Sequence, residues 1–126
     1  MISSEHKMIG MIGSRRRTSY TDFEKCEKAF LSVYEKGDWL VSGGCPKGGD
    51  AFAEKIAKDR GLPILIFYPD WNGKGKGAGF ARNGDIAKHS DIVIACVAED
   101  RTGGTEDTIK KFLQKPDVSE DKVILV

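Results

Sequence analysis

The chain is short of the residues that support several common kinds of chemistry and anchoring. It has three cysteines, Cys26, Cys45 and Cys96, an odd number at wide spacings that suits neither a disulfide framework nor a zinc site. No metal is therefore expected. Its two histidines, His6 near the start and His89 near a predicted helix end, offer no Ser-His-Asp or Cys-His nucleophilic arrangement. Charge of one sign is also missing, with 20 Lys and Arg against 19 Asp and Glu for a net charge of +1. No global field then recruits nucleic acid or an anionic membrane, and nucleic acid is not expected as a partner. No apolar run approaches the roughly 20 residues of a membrane span, and no basic-then-apolar leader opens the chain, so a cytoplasmic protein is expected. With no internal repeat or low-complexity linker, residues 1–126 read as one domain with a flexible leader over 1–6.

Glycine, in contrast, is concentrated where it can act. Residues 41–50, VSGGCPKGGD, end an apolar run with Gly43 and Gly44 and open an amphipathic stretch with Gly48, Gly49 and Asp50. Backbone without Cβ can pass close to a bulky anion, and the start of the following helix favours negative charge. The arrangement recurs at Gly13-Ser14-Arg15 after residues 8–12 and at Gly103-Gly104-Thr105 after residues 92–97. Three such loops point to one shared ligand site. None is a G-x-G-x-x-G or a Walker A sequence, and glycines also simply make tight turns.

Apolar runs predict strands over 7–12, 39–41, 64–68, 92–97 and 122–126, and three-to-four-residue periodicity predicts helices over 21–36, 50–60, 80–89 and 104–114. Thr21 or Asp22 is expected to cap the first helix. Residues 69–79, PDWNGKGKGAG, fit no regular element and read as a mobile, solvated loop. The strand runs are continuously apolar, which predicts burial on both faces. The expected fold is α/β, a Rossmann-like, doubly wound, mainly parallel five-stranded sheet with helices on both faces. Right-handed crossovers would bring all three glycine loops to the carboxyl edge of that sheet.

Several side chains near these loops are candidates for chemistry. Ser14 and Arg15 supply a hydroxyl and a guanidinium suited to phosphate, while Arg16 and Arg17 read individually as solvated. Asp50 is either a helix N-cap or an acceptor for a ribose hydroxyl. Arg82 and Asn83 could meet a phosphate or a leaving base, or serve as a surface ion pair and a cap. Glu106 and Asp107 either complement the dipole of the last helix or act as a general base.

Taken in order, GSR, VSGG-x-x-x-GGD-x-x-A, DW, AG-x-x-RN-x-x-I-x-x-x-SD and TGGT make the chain resemble the SLOG superfamily, related to SMF/DprA and LOG proteins, in its small single-domain YspA-like branch. That resemblance implies a nucleotide or nucleotide-derived ligand at the sheet edge, with LOG-like hydrolysis of the N-glycosidic bond of nucleoside 5′-monophosphates as one activity and a non-catalytic nucleotide-signal sensor as the other. Arg82 would take the place of the LOG arginine, and Glu106 or Asp107 stands in only approximately for the LOG glutamate. Phosphate would lie on Gly13, Ser14, Arg15, Gly103, Gly104 and Thr105. Gly43, Gly44 and Asp50 would line the ribose, and Trp71 would stack on the base. No cofactor or metal is required, and a homodimer or larger homo-oligomer is compatible with it.

Overall fold

The computed structural model describes residues 6–126; residues 1–5 of the expected leader lie outside the described residues, and His6 is exposed. Strands β1 (Met8–Gly13), β2 (Trp39–Ser42), β3 (Ile64–Ile66), β4 (Ile92–Cys96) and β5 (Val123–Leu125) form one sheet in the order β3-β2-β1-β4-β5. Every pairing is parallel. The helices are α1 (Tyr20–Val33), α2 (Gly49–Arg60), α3 (Trp71–Lys74), α4 (Ala78–His89) and α5 (Gly104–Leu113).

Alternation along the strands divides the core into two layers of contact. Ile9 and Met11 of β1, with Ile94 and Cys96 of β4, pack on Phe23, Cys26 and Phe30 of α1 and on Phe52 and Ile56 of α2. Ile12, Val93 and Ala95 face the other way, onto Ile86 of α4 and Ile109 and Phe112 of α5. Helices therefore cover both faces, the reason the strand runs carry no polar alternation. The expected α/β Rossmann-like class is the one observed, with a wholly parallel sheet.

Several boundaries differ from expectation. Ser19, not Thr21 or Asp22, caps α1: its hydroxyl accepts from the Asp22 amide at 3.0 Å and the Asp22 carboxylate closes a capping box. The helix stops at Val33, short of 36, because the Asp38 carboxylate takes the Glu35 amide at 2.8 Å and the Lys7 amide at 2.7 Å, pulling the chain out of the helix. β3 ends at Ile66 because its neighbour among the described strands, β2, ends at Ser42, where Gly43-Gly44 turns away. Residues 69–79 are not irregular throughout. Asp70 accepts from the Gly73 amide at 2.9 Å and starts the single turn α3, a 3-10 turn covers Gly75–Gly77, and α4 follows from Ala78.

The start of α2 also removes one of the two alternatives for Asp50, the N-cap. Gly48, at φ 77°, occupies the cap position without a side-chain bond, and Asp50 lies in the first turn. A Cβ on Gly49 would sit 2.1 Å from the Ile12 carbonyl carbon and 2.4 Å from the Gly13 nitrogen, so α2 abuts the backbone of β1 directly.

Candidate functional site

The strand order reverses between β1 and β4, whose carboxyl ends are paired through Gly13 and Cys96. From there the chain passes to α1 on one face and α5 on the other, which opens a crevice between the two loops. A cleft of ≈ 310 Å³ occupies this place. Ser14 and Arg15 from the β1 loop, Gly103, Gly104 and Thr105 from the start of α5, Asp50 from α2, and Arg82 and Asn83 from α4 all line it. The volume is at the lower end of small-molecule pockets.

One wall is rich in donors. Gly103 at φ 104° caps α5 without a side-chain bond, and the Gly104 and Thr105 amides that follow precede the first intrahelical bond, so both are available to an anion. Arg15 is exposed and makes no side-chain hydrogen bond among the described residues. Arg16, read from sequence as solvated, lines the cleft and grips Asp100 bidentately at 2.7 and 3.0 Å while touching the Thr102 hydroxyl at 3.2 Å. That pairing holds the Asp100 carboxyl well below the usual range and shapes the loop leading to Gly103. Arg17 turns away, donating to Asp22 and to the carbonyls of Val97 and Val126.

The opposite wall centres on Arg82. Its Nη1 donates to the Gly43 carbonyl and its Nε to Asn83 Oδ1 at 3.0 Å. Asn83 in turn donates to the Gly104 carbonyl at 3.3 Å and to Asp107 at 3.1 Å, tying α4 to the start of α5. Asp50 lies 4.0 Å from Arg82 and is 7% exposed. Its Oδ2 accepts from the Cys45 amide at 3.2 Å. Burial pushes the Asp50 carboxyl above its ordinary range, with the Cys45 amide and Arg82 opposing.

Nine of the residues predicted from sequence thus converge: Gly13, Ser14, Arg15, Asp50, Arg82, Asn83, Gly103, Gly104 and Thr105. The others lie outside the lining. Gly43 leaves room for Arg82, since a Cβ there would meet Nη1 at 2.7 Å, and Gly44 at φ 74° lies under the Tyr68 ring. Gly48 and Gly49 seat α2 on the end of β1. Trp71 is 56% exposed and does not line the cleft. Neither do the two candidate catalytic carboxylates: Glu106 is held bidentately by Arg101 at 2.7 and 2.9 Å, and Asp107 by Lys111 at 2.8 Å. Ile86 and Cys45 also line the cleft, and Ile86 is marked in sequence only by following the lining residue Asn83 at a spacing of three on the same helix.

Fold and cleft together define a Rossmann-like α/β protein with a polar crevice at the switch in strand order. No protein-family model and no curated protein sequence matches the chain. Among solved structures it is similar to the molybdenum cofactor binding protein from the phototrophic bacterium Rippkaea orientalis, with a TM-score of 0.68 and 23% identity over 98% of this chain and 77% of that one. The similarity is one of fold. Among the described residues no helix is long and apolar enough to cross a membrane, and no group of His, Cys, Asp or Glu is arranged to hold a metal ion.

Proposed function

We propose that the cleft binds a phosphate-bearing, nucleotide-derived small molecule, with the phosphate against Ser14, Arg15 and the first amides of α5. The observation that carries this reading is the convergence on one crevice of the exposed Arg15 guanidinium, the Ser14 hydroxyl and helix-start amides that have no hydrogen-bond acceptor among the described residues. Resemblance to the SLOG superfamily points the same way, and the structurally similar protein is itself named for binding the molybdenum cofactor. Binding without turnover is the favoured activity, because Glu106 and Asp107 are engaged in ion pairs outside the cleft. Cleavage of an N-glycosidic bond is the second reading. Asp50 favours it, as the one carboxylate among the lining side chains.

The test is titration of the protein with a panel of nucleoside 5′-monophosphates, followed by chromatography of each mixture for free base. Saturable binding without base release, weakened at least about tenfold by Arg15→Ala and retained by Glu106→Gln, is the expected result. Base release that survives in Glu106→Gln would favour the second reading. Absence of binding to every monophosphate and to inorganic phosphate would end both.

A further inference from the structure

Arg15, Arg16 and Arg82 line the cleft, and carboxylates answer two of them. Arg82 lies 4.0 Å from Asp50 and Arg16 is gripped by Asp100, whereas Arg15 has no ion-pair partner among the described residues. Asp100 is not itself part of the lining, so this clasp holds the Arg16 guanidinium at the lip, beside Thr102. The clasp is firmly built. Thr102 donates to Asp100 Oδ1 from its hydroxyl at 2.7 Å and from its amide at 3.2 Å, while Arg16 donates to both carboxylate oxygens. Arg101, next in the chain, takes φ 55°, a conformation uncommon for a residue other than glycine, and Glu106 fixes its side chain. An isolated exposed ion pair contributes little, but a bidentate pair inside such a network resists exchange.

Resting on the anion-binding reading above, we infer that Asp100 is a specificity-determining residue: it occupies Arg16 in place of a second ligand phosphate and so makes the cleft discriminate against diphosphates. The first phosphate has Arg15, the Ser14 hydroxyl and the opening amides of α5. A second one extending along the same wall toward the lip meets Arg16 and, with it, the carboxylate that Arg16 already neutralises. Phosphate and carboxylate then compete for the same guanidinium donors and repel each other. Asp100 is fixed by Thr102 as well as by Arg16, so it does not simply swing aside. It acts through Arg16 and touches no ligand atom in this role.

Calorimetric titration with inorganic phosphate and with inorganic pyrophosphate, at one ionic strength, tests the idea on the wild-type chain first. Pyrophosphate should bind no more than about threefold tighter than phosphate, because its second group gains no cation. In Asp100→Asn, checked for native circular dichroism, Arg16 is released, and pyrophosphate affinity should rise about tenfold or more, the worth of hydrogen bonds to a charged group, with phosphate changing by about threefold or less. Glu99→Gln removes the same charge from an exposed neighbour that forms no ion pair with Arg16 among the described residues, and should move either affinity by about twofold at most. The double variant Arg16→Ala, Asp100→Asn should lose the pyrophosphate gain, which a change in loop structure alone would not cause. Wild-type preference for pyrophosphate above about threefold overturns the inference while leaving the anion site standing, and needs no variant. A pyrophosphate gain in Asp100→Asn that is absent, shared equally by phosphate, reproduced by Glu99→Gln or retained without Arg16 also overturns it. If neither probe binds the wild type, the anion site and the inference fail together.

Discussion

Replacing Gly49 with alanine should destabilise the protein far more than an added methyl group ordinarily does. The new Cβ would lie 2.1 Å from the Ile12 carbonyl carbon, 2.2 Å from its oxygen and 2.4 Å from the Gly13 nitrogen. Carbon atoms pack at about 3.5–4.0 Å, so the two backbones must separate by more than about 1 Å. β1 cannot yield, because it is paired on both sides, with β2 and β4. α2 cannot lift without drawing Phe52, Ala53 and Ile56 out of the core. Overpacking of a rigid core costs about 1–3 kcal/mol, and with backbone on both sides the upper end is expected. For a chain of 126 residues, an unfolding entropy of about 2.1 cal/mol/K per residue converts about 3 kcal/mol into a fall of roughly 11 °C in Tm. Gly84→Ala is the matched control. Nothing lies within 4 Å of its added Cβ inside α4, so it should raise Tm by about 2–4 °C through helix propensity. Thermal unfolding followed by circular dichroism reads both. A Gly49→Ala variant within about 2 °C of wild type would refute the claim that this glycine exists for the contact between helix and strand.

Two predictions concern pH. Burial raises the Asp50 carboxyl in the folded protein, so its ionisation opposes folding at neutral pH. Asp50→Asn should therefore raise the Tm of the ligand-free protein at neutral pH, and the gain should vanish once the wild-type carboxyl is protonated in both states, below about pH 4; a variant less stable than wild type at neutral pH would refute it. Asp38 has the opposite sign. Burial pushes its carboxyl up, but hydrogen bonds from Lys7 and Glu35 and the Lys7 charge outweigh that and leave it below its ordinary value. Its stabilisation is present above about pH 4 and lost as pH falls through the lower folded value. Asp38→Asn should cost about 1–3 kcal/mol at neutral pH by urea unfolding, with the deficit narrowing in acid, and a deficit constant with pH would count against the Lys7 pair.

What the sequence alone determined is what depends on near neighbours. Apolar runs between periodic stretches identify β-α alternation, continuous burial identifies a parallel sheet, and the glycine-bearing turns mark its carboxyl edge. Gly103, Gly104 and Thr105 could be placed beside Ser14 and Arg15 on that basis, as could Arg82 and Asn83. Tertiary structure decided what depends on residues far apart. The pairs Gly43-Gly44, Gly48-Gly49 and Gly103-Gly104 look alike in sequence, yet the first makes room for Arg82 and Tyr68, the second for β1, and the third opens onto the cleft. Asp107 has a partner within its own helix in Lys111, four residues on, but its contact with Asn83 exists only because the fold packs α4 against α5. Asp50 reads equally as a cap or as a ligand acceptor until Gly48 takes the cap position and the Cys45 amide claims one of its oxygens. Periodicity along a helix or strand follows from local backbone geometry, whereas the partner of a buried carboxylate or the atom above a glycine is set by which strands pair. The order β3-β2-β1-β4-β5 was needed before the two carboxylates of α5 could be placed outside the cleft.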